Sequence, residues 1–427
     1  MSPDLESLLA AVVANPDDDT ARLAYADCLQ EHGNEPRAAF IRLQVEAERL
    51  HPHSNARAAL EARAQALFER YWVEWWGEVC AAVGLPTGGP PAYQTAGYAA
   101  IACSPPVGFE HHRPSQFPVA FRRGFPESVA IPVLSVGPEP CGSYLARWPS
   151  VSPLTELIAV GPANDPRYEW PEGEHLRSVR RLTLVSHSFG TRDAVAYSAH
   201  LGALDHLTLG FSRWLRPLVA TTTNLSIALA LAPRLRHLSV PLNAGEFVEG
   251  LAATDPLPRL ESLDLQLSSR LWHKPGPSPT ELLAAAPLTG MRRLELQVLE
   301  PQDLGLLFRA PVWGALRHLT LDLEYSAETL KPFCRGNELA HLEELHLSGV
   351  QLTADTVRAL VDAPRLKRVK HFALFGTHEG GNALLRLADA VDADRIETFA
   401  IGIPHFPERA ANALRAKLGD RVRFLES

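Results

Sequence analysis

The stretch Val185-Ser186-His187-Ser188-Phe189-Gly190 carries the residue types for covalent chemistry. A Gly-x-Ser-x-Gly elbow holds a nucleophilic serine on a sharp turn between strand and helix, exposed for acyl transfer. Here Leu182-Thr183-Leu184 would supply the strand and Ser188 the nucleophile, with Ser186 in place of the first glycine. A hydrolase of this type also needs a doubly wound parallel sheet and a late histidine. His371 and His405 qualify only because the chain has 17 histidines, and the strand falls in step with a repeat on both sides. Serine hydrolysis at Ser188 is therefore the less favoured reading.

Metal chemistry fares no better. His206 and His237 occupy equivalent positions in successive repeats, but no third ligand is evident. His111-His112 stands alone in a Pro-rich segment, and Asp17-Asp18-Asp19 lacks calcium-loop spacing and suits a helix start. Gly-Lys-Ser/Thr and His-Glu-x-x-His are both absent. The expectation is no catalytic residue, no metal and no cofactor.

The elements that would position such groups announce themselves by a repeat. Leu-x-x-Leu-x-Leu begins at Leu154 and returns at Val179, Leu204, Leu235, Leu260, Met291, Leu316, Leu342, Val369 and Ile396. The steps are 25, 25, 31, 25, 31, 25, 26, 27 and 27 residues. That is the period of a leucine-rich repeat with one strand and one helix per unit. The expected fold is α/β: a leucine-rich-repeat solenoid, a curved parallel sheet with helices on its convex side, behind an N-terminal all-α module. Expected boundaries are 1–84 for the helical module, 85–125 for a Pro/Gly-rich linker or cap, and 126–427 for the solenoid. Val129 and Ile131 read as a short capping strand. Leu282–Ala286 and Thr356–Ala363 read as helices stopped by Pro287 and Pro364.

In such strands the leucines point inward and the intervening residues outward. The outward set is Arg180, Arg181 and Thr183; Asp205, His206 and Thr208; Arg236, His237 and Ser239; Glu261, Ser262 and Asp264. It continues with Arg292, Arg293 and Glu295; Arg317, His318 and Thr320; Glu343, Glu344 and His346; Lys370, His371 and Ala373; and Glu397 and Thr398. Two uses compete for these positions: a mixed-charge docking face for a folded protein, or a solvated face whose charges pair across strands. Aromatic residues are scarce there, and Trp214, Trp272 and Trp313 fall beside the strands. The asparagine that usually follows the last leucine is mostly missing; Asn243 qualifies, and His187, Ser212 and Ser268 stand in elsewhere.

Composition narrows the function classes. The net charge is −8, yet residues 1–84 hold 14 acids against 7 arginines, and the rest 35 against 34 basic residues. A near-neutral solenoid lacks the basic field of a nucleic-acid binder, so nucleic acid is not the expected partner. No window approaches 18 uninterrupted apolar residues and the N-terminus lacks a signal-peptide pattern, so no membrane association is expected. Five scattered cysteines without a Cys-x-x-Cys pair suit a reducing cytoplasm.

Residues 2–83 read as four helices. Leu5, Leu8, Leu9, Val12 and Val13 mark the first, with Ser2 as cap and Pro3 at its first turn. The second runs from about Thr20 to Glu31 and ends at Gly33. The third starts near Glu35-Pro36 and buries Phe40, Leu43, Ala47 and Leu50. The fourth covers about Asn55 to Val83 and packs through Leu67, Trp72, Trp75 and Trp76. The runs Pro16–Asp27, Leu29–Gly33 and Arg37–Gln44, with Phe121–Val129, resemble the bacterial repeat-companion domain. That family is a short helical module N-terminal to leucine-rich or other repeats. Its members usually carry Trp where this chain has Cys28. The resemblance covers roughly residues 4–50 and 121–131; it implies architecture and no biochemical activity.

The reading that follows is a non-catalytic recognition or scaffold protein. A protein partner of unspecified identity would dock on the outward strand residues, centred on Arg180, Arg181, Asp205, His206, Arg236, His237, Asp264, Arg292, Arg293, Glu295, Arg317, His318, Glu343, Glu344 and His346. The alternative is a regulator that inhibits or activates a partner enzyme.

Overall fold

The computed structural model describes residues 2–84, 119–132, 145–161, 173–186, 200–210, 235–240, 259–267, 291–298, 314–323, 341–362, 368–378, 381–390 and 394–425, with isolated positions between them. The chain forms two compact units. One comprises Met1–Pro52 with Ala56–Ala230, the other His53–Asn55 with Leu231–Ser427.

In the first unit, α1 (Pro3–Ala14) starts as its sequence dictates: the Leu5 N–H donates to Ser2 Oγ at 3.3 Å, and Pro3 occupies the first turn. Asp18 caps α2 (Asp19–Glu31) by accepting the Thr20 N–H at 2.8 Å, which holds its carboxyl below the ordinary value. Gly33, at φ 84°, ends that helix, and Asn34 caps α3 (Glu35–Glu48). α4 spans Asn55–Val83. Leu5, Leu9, Val12, Ala26, Cys28, Leu29, Ala38, Ile41 and Val45 form one buried cluster. Cys28 thus fills a core position, as a thiol among aliphatics. Leu50, Leu67 and Trp72 are only half-buried, short of the core role expected of them.

The cluster has one member from outside the helices, Phe125. It opens β2 (Phe125–Pro132), which pairs antiparallel with β1 (Val119–Arg122). The end of the expected linker is therefore a hairpin. Arg123 (φ 46°) and Gly124 (φ 87°) form its two-residue turn, and both positive angles match the right-handed strand twist. Gly124 is required twice over, because a Cβ there would lie 2.2 Å from Ile41 Cγ1. Phe121 also reaches into the helices, with its ring centroid 5.2 Å from Phe68 and 6.1 Å from Phe40. Helices and hairpin share one core, so the helical module does not stand alone.

A bulge in the hairpin sets up a fully buried ion pair. The register shifts between Ala120 and Phe121, so Glu127 has no cross-strand partner on β1. Bulged residues are re-aimed, and the Glu127 carboxylate meets Arg22 of α2 at 2.5 Å, with both side chains fully buried. Thr155 Oγ1 donates to the second Glu127 oxygen at 3.0 Å, and Arg22 also donates to the Pro16 carbonyl. Burial drives the Glu127 carboxyl up, against the pull of Arg22.

Parallel strands follow in chain order. In the first unit β2, β3 (Glu156–Gly161), β4 (Arg181–Ser186) and β5 (His206–Gly210) are successive neighbours. In the second unit the strands are β6 (His237–Val240), β7 (Ser262–Leu267), β8 (Arg293–Val298), β9 (His318–Leu323), β10 (Glu344–Leu352), β11 (His371–His378), β12 (Thr398–Gly402) and β13 (Val422–Phe424). Helices α5 (Ala354–Asp362), α6 (Gly381–Ala390) and α7 (Glu408–Leu418) join the last four strands. α5 occupies the expected 356–363 helix; the 282–286 stretch lies largely outside the described residues. The register stacks like on like: Leu263, Leu294, Leu319 and Leu345 form one column, each at most 1% exposed.

One backbone device recurs at the strand starts. The carbonyl of Glu261 accepts the N–H of both Arg292 (2.8 Å) and Arg293 (2.9 Å). The same two-on-one clasp joins Arg180 and Arg181 to Thr155, Arg317 and His318 to Arg292, and Glu343 and Glu344 to Arg317. It lets two consecutive residues face outward between inward leucines, which explains the two variable positions of Leu-x-x-Leu.

Removing one partner from a buried ion pair strands the other charge and costs about 3–5 kcal/mol. Glu127→Ala should lower stability by that order in urea unfolding of the full chain. Arg22→Met with Glu127→Leu should cost clearly less, since neither charge remains.

Candidate protein-recognition face

The outward residues divide into rows set by strand register. In the second unit the leading row is Arg236, Glu261, Arg292, Arg317, Glu343, Lys370 and Glu397, the residues that open each clasp. These charges pair across neighbouring strands. Arg236 holds both oxygens of Glu261 at 2.9 and 3.0 Å; Arg317 lies 3.4 Å from Glu343, and Lys370 3.4 Å from Glu397. The adjacent row is His237, Ser262, Arg293, His318, Glu344, His371 and Thr398. There His318 Nδ1 meets Glu344 at 2.7 Å, and His371 meets Thr398 at 3.0 Å. Arg293 is more loosely held, 3.8 Å from Glu295 and 3.9 Å from Glu344.

The next row, Ser239, Asp264, Glu295, Thr320, His346 and Ala373, sits deeper. Ser239 donates to Asp264 at 2.6 Å, while burial pushes that carboxyl up. Burial also raises Glu295, reinforced by Asp264 and Glu344 and opposed by Arg293. His346 is held neutral, down to about 4, by burial first and then by His53, whose ring lies 6.0 Å away in the same unit.

In the first unit the outward charges serve the fold. Arg180 pairs with Asp17, ahead of α2, and Arg181 lies 3.7 Å from the buried Glu156. Arg123 lies 3.5 Å from Asp17 and 3.4 Å from Asp19. Asp205 and His206 pair with each other at 2.5 Å. Asp17-Asp18-Asp19 thus does more than start a helix: the middle acid caps it and the outer two clasp arginines of the turn and of the first repeats.

Three expected outward positions are buried instead: Thr183 and Thr398 at 5% and Ala373 at 2% exposure. A short side chain between rows of longer ones is shielded even when it points outward. His206 and His237 belong to different units, and no group of three metal-ligating side chains occurs among the described residues. Ser188, His111-His112, Trp214, Trp272, Trp313, Asn243, His187, Ser212 and Ser268 lie outside those residues. Sequence reasoning missed the Arg22–Glu127–Thr155 network. Its signal was present: Arg22 shares a helix face with Ala26 and Leu29, so a buried arginine in need of an acid was foreseeable.

The raised carboxyls carry a pH signature. A carboxyl whose folded pKa exceeds its unfolded value favours the folded state at low pH, and that contribution is lost as pH rises through the folded pKa. Glu295→Gln removes the charge, so the variant should be more stable than wild type at pH 8. The two should converge as the pH falls toward 4.5, the ordinary glutamate value. Urea unfolding of both proteins across that range checks it. Among the described residues no helix is long and apolar enough to cross a membrane.

In comparisons with known proteins, no family model and no curated protein matches this chain. Among solved structures it is similar in part to a Bacteroides fragilis protein from a structural-genomics programme. The two are 13% identical with a TM-score of 0.36, over 60% of this chain and 69% of that one.

Proposed function

We propose that this chain is a non-catalytic recognition protein of the leucine-rich-repeat type, binding a protein partner through the outward strand rows. In this reading the helices cap the repeats and belong to the bacterial repeat-companion type, and the protein works in the cytoplasm. The observation that carries it is the two-on-one clasp. It sets out pairs of polar, mostly charged side chains at strand spacing, about 4.8 Å apart, on a fixed backbone. An array of that regularity suits a folded partner, whose own charges have fixed spacing. The shared core of helices and hairpin supports the capping role. The buried, unpaired thiols of Cys28 and Cys80 accord with a reducing compartment.

The test uses the full chain, because removing the helices would cut through that core. Two ladder pairs are exchanged, Arg317→Glu with Glu343→Arg and Lys370→Glu with Glu397→Arg. Each exchange keeps local pairing and net charge while inverting the outward pattern. Affinity purification from the native organism with quantitative mass spectrometry should recover a partner with wild type, reduced about tenfold or more in the exchanged protein. Equal recovery, or nothing above control, overturns the reading.

A further inference from the structure

We propose that the second unit receives a carboxylate-bearing segment of its protein partner at Arg292 and Arg293, at the start of β8. This rests on the recognition reading above and gives the partner a chemistry. Charges in the leading row pair off as Arg236–Glu261, Arg317–Glu343 and Lys370–Glu397. Arg292 stands between Glu261 and Arg317 and is left over. Glu261 has both oxygens engaged by Arg236, and Arg317 turns to Glu343. Arg292 is exposed, and among the described residues no ion pair reaches its guanidinium. Beside it, Arg293 is 45% exposed, and its nearest carboxylates lie at 3.8 and 3.9 Å, beyond hydrogen-bonding distance.

Two adjacent guanidinium groups therefore face outward with donors to spare, held side by side because the backbone N–H groups of both residues donate to the Glu261 carbonyl. A guanidinium fork matches a carboxylate bidentately, so the pair fits neighbouring Asp or Glu side chains. The setting selects against a polyphosphate. A nucleic-acid strand needs a basic stripe along its backbone, whereas the rows beside these arginines carry Asp264, Glu295 and Glu344. A short acidic segment can meet the two arginines and clear those carboxylates.

The probe is a fluorescein-labelled peptide with two adjacent glutamates, Gly-Ser-Glu-Glu-Ser-Gly, followed by fluorescence anisotropy with the full chain at low ionic strength, with the oligonucleotide dT8 as a polyphosphate comparison. Wild type should bind the peptide in a salt-sensitive manner and more tightly than dT8. Arg292→Glu with Arg293→Glu should weaken peptide binding about tenfold or more. Arg358→Glu with Arg395→Glu makes the same charge change at exposed sites off the strand rows and should alter binding by about twofold or less. Circular dichroism verifies that both variants are folded. Absence of peptide binding, equal weakening in both variants, or preference for dT8 overturns the inference. Any of these leaves the recognition reading standing if the native partner is still captured and lost with the ladder exchanges.

Discussion

A backbone carbonyl that accepts two successive N–H groups is the constraint on which the repeat depends. In the second unit it runs from Arg236 through Glu261, Arg292, Arg317, Glu343 and Lys370, each clasping the start of the next strand. Strand alternation would send one of two consecutive residues inward. The clasp suspends alternation for one step, so two polar residues emerge together before the buried columns resume. Packing of Leu263, Leu294, Leu319 and Leu345 and presentation of the charged rows are thus two sides of one local geometry. A polar residue at a leucine position would break both.

The start of the repeats uses a different solution. An exposed first strand invites edge pairing, and here the hairpin β1–β2 meets it with the helices of the same unit. Apolar contact through Phe121 and Phe125 supplies the area. The Arg22–Glu127 pair supplies orientation, because two fully buried charges tolerate little displacement from each other. Asp17 and Asp19 both pair with the buried Arg123, and Asp17 pairs also with Arg180. Acidity of the N-terminal segment, conspicuous in the composition, is spent partly within the molecule.

The same interplay of pairing and leftover charge shapes the outward face. Most ladder charges are satisfied by neighbours, as a solvated face would have them, and the exception at β8 gives the face a focus. Rows that sit deeper hold carboxyls raised by burial beside a neutral His346. This gradation from paired and exposed to half-buried arises from side-chain length and row position.

By itself the sequence determined the repeat period, the inward columns, the helices with their caps and the outward charged set, because these follow from local periodicity and capping chemistry. Ser2, Asp18, Gly33 and Asn34 act within three residues of their positions. Contacts between distant parts of the chain were decided only by tertiary structure. The bulge that frees Glu127, the union of hairpin and helices in one core, and the choice of partner for each ladder arginine depend on residues 25 to more than 100 positions apart. Alternating charges read the same in sequence whether they pair left, right or not at all. Among the described residues, register and side-chain reach leave Arg292 out of the ladder pairs, and neither is written in the order of the residues.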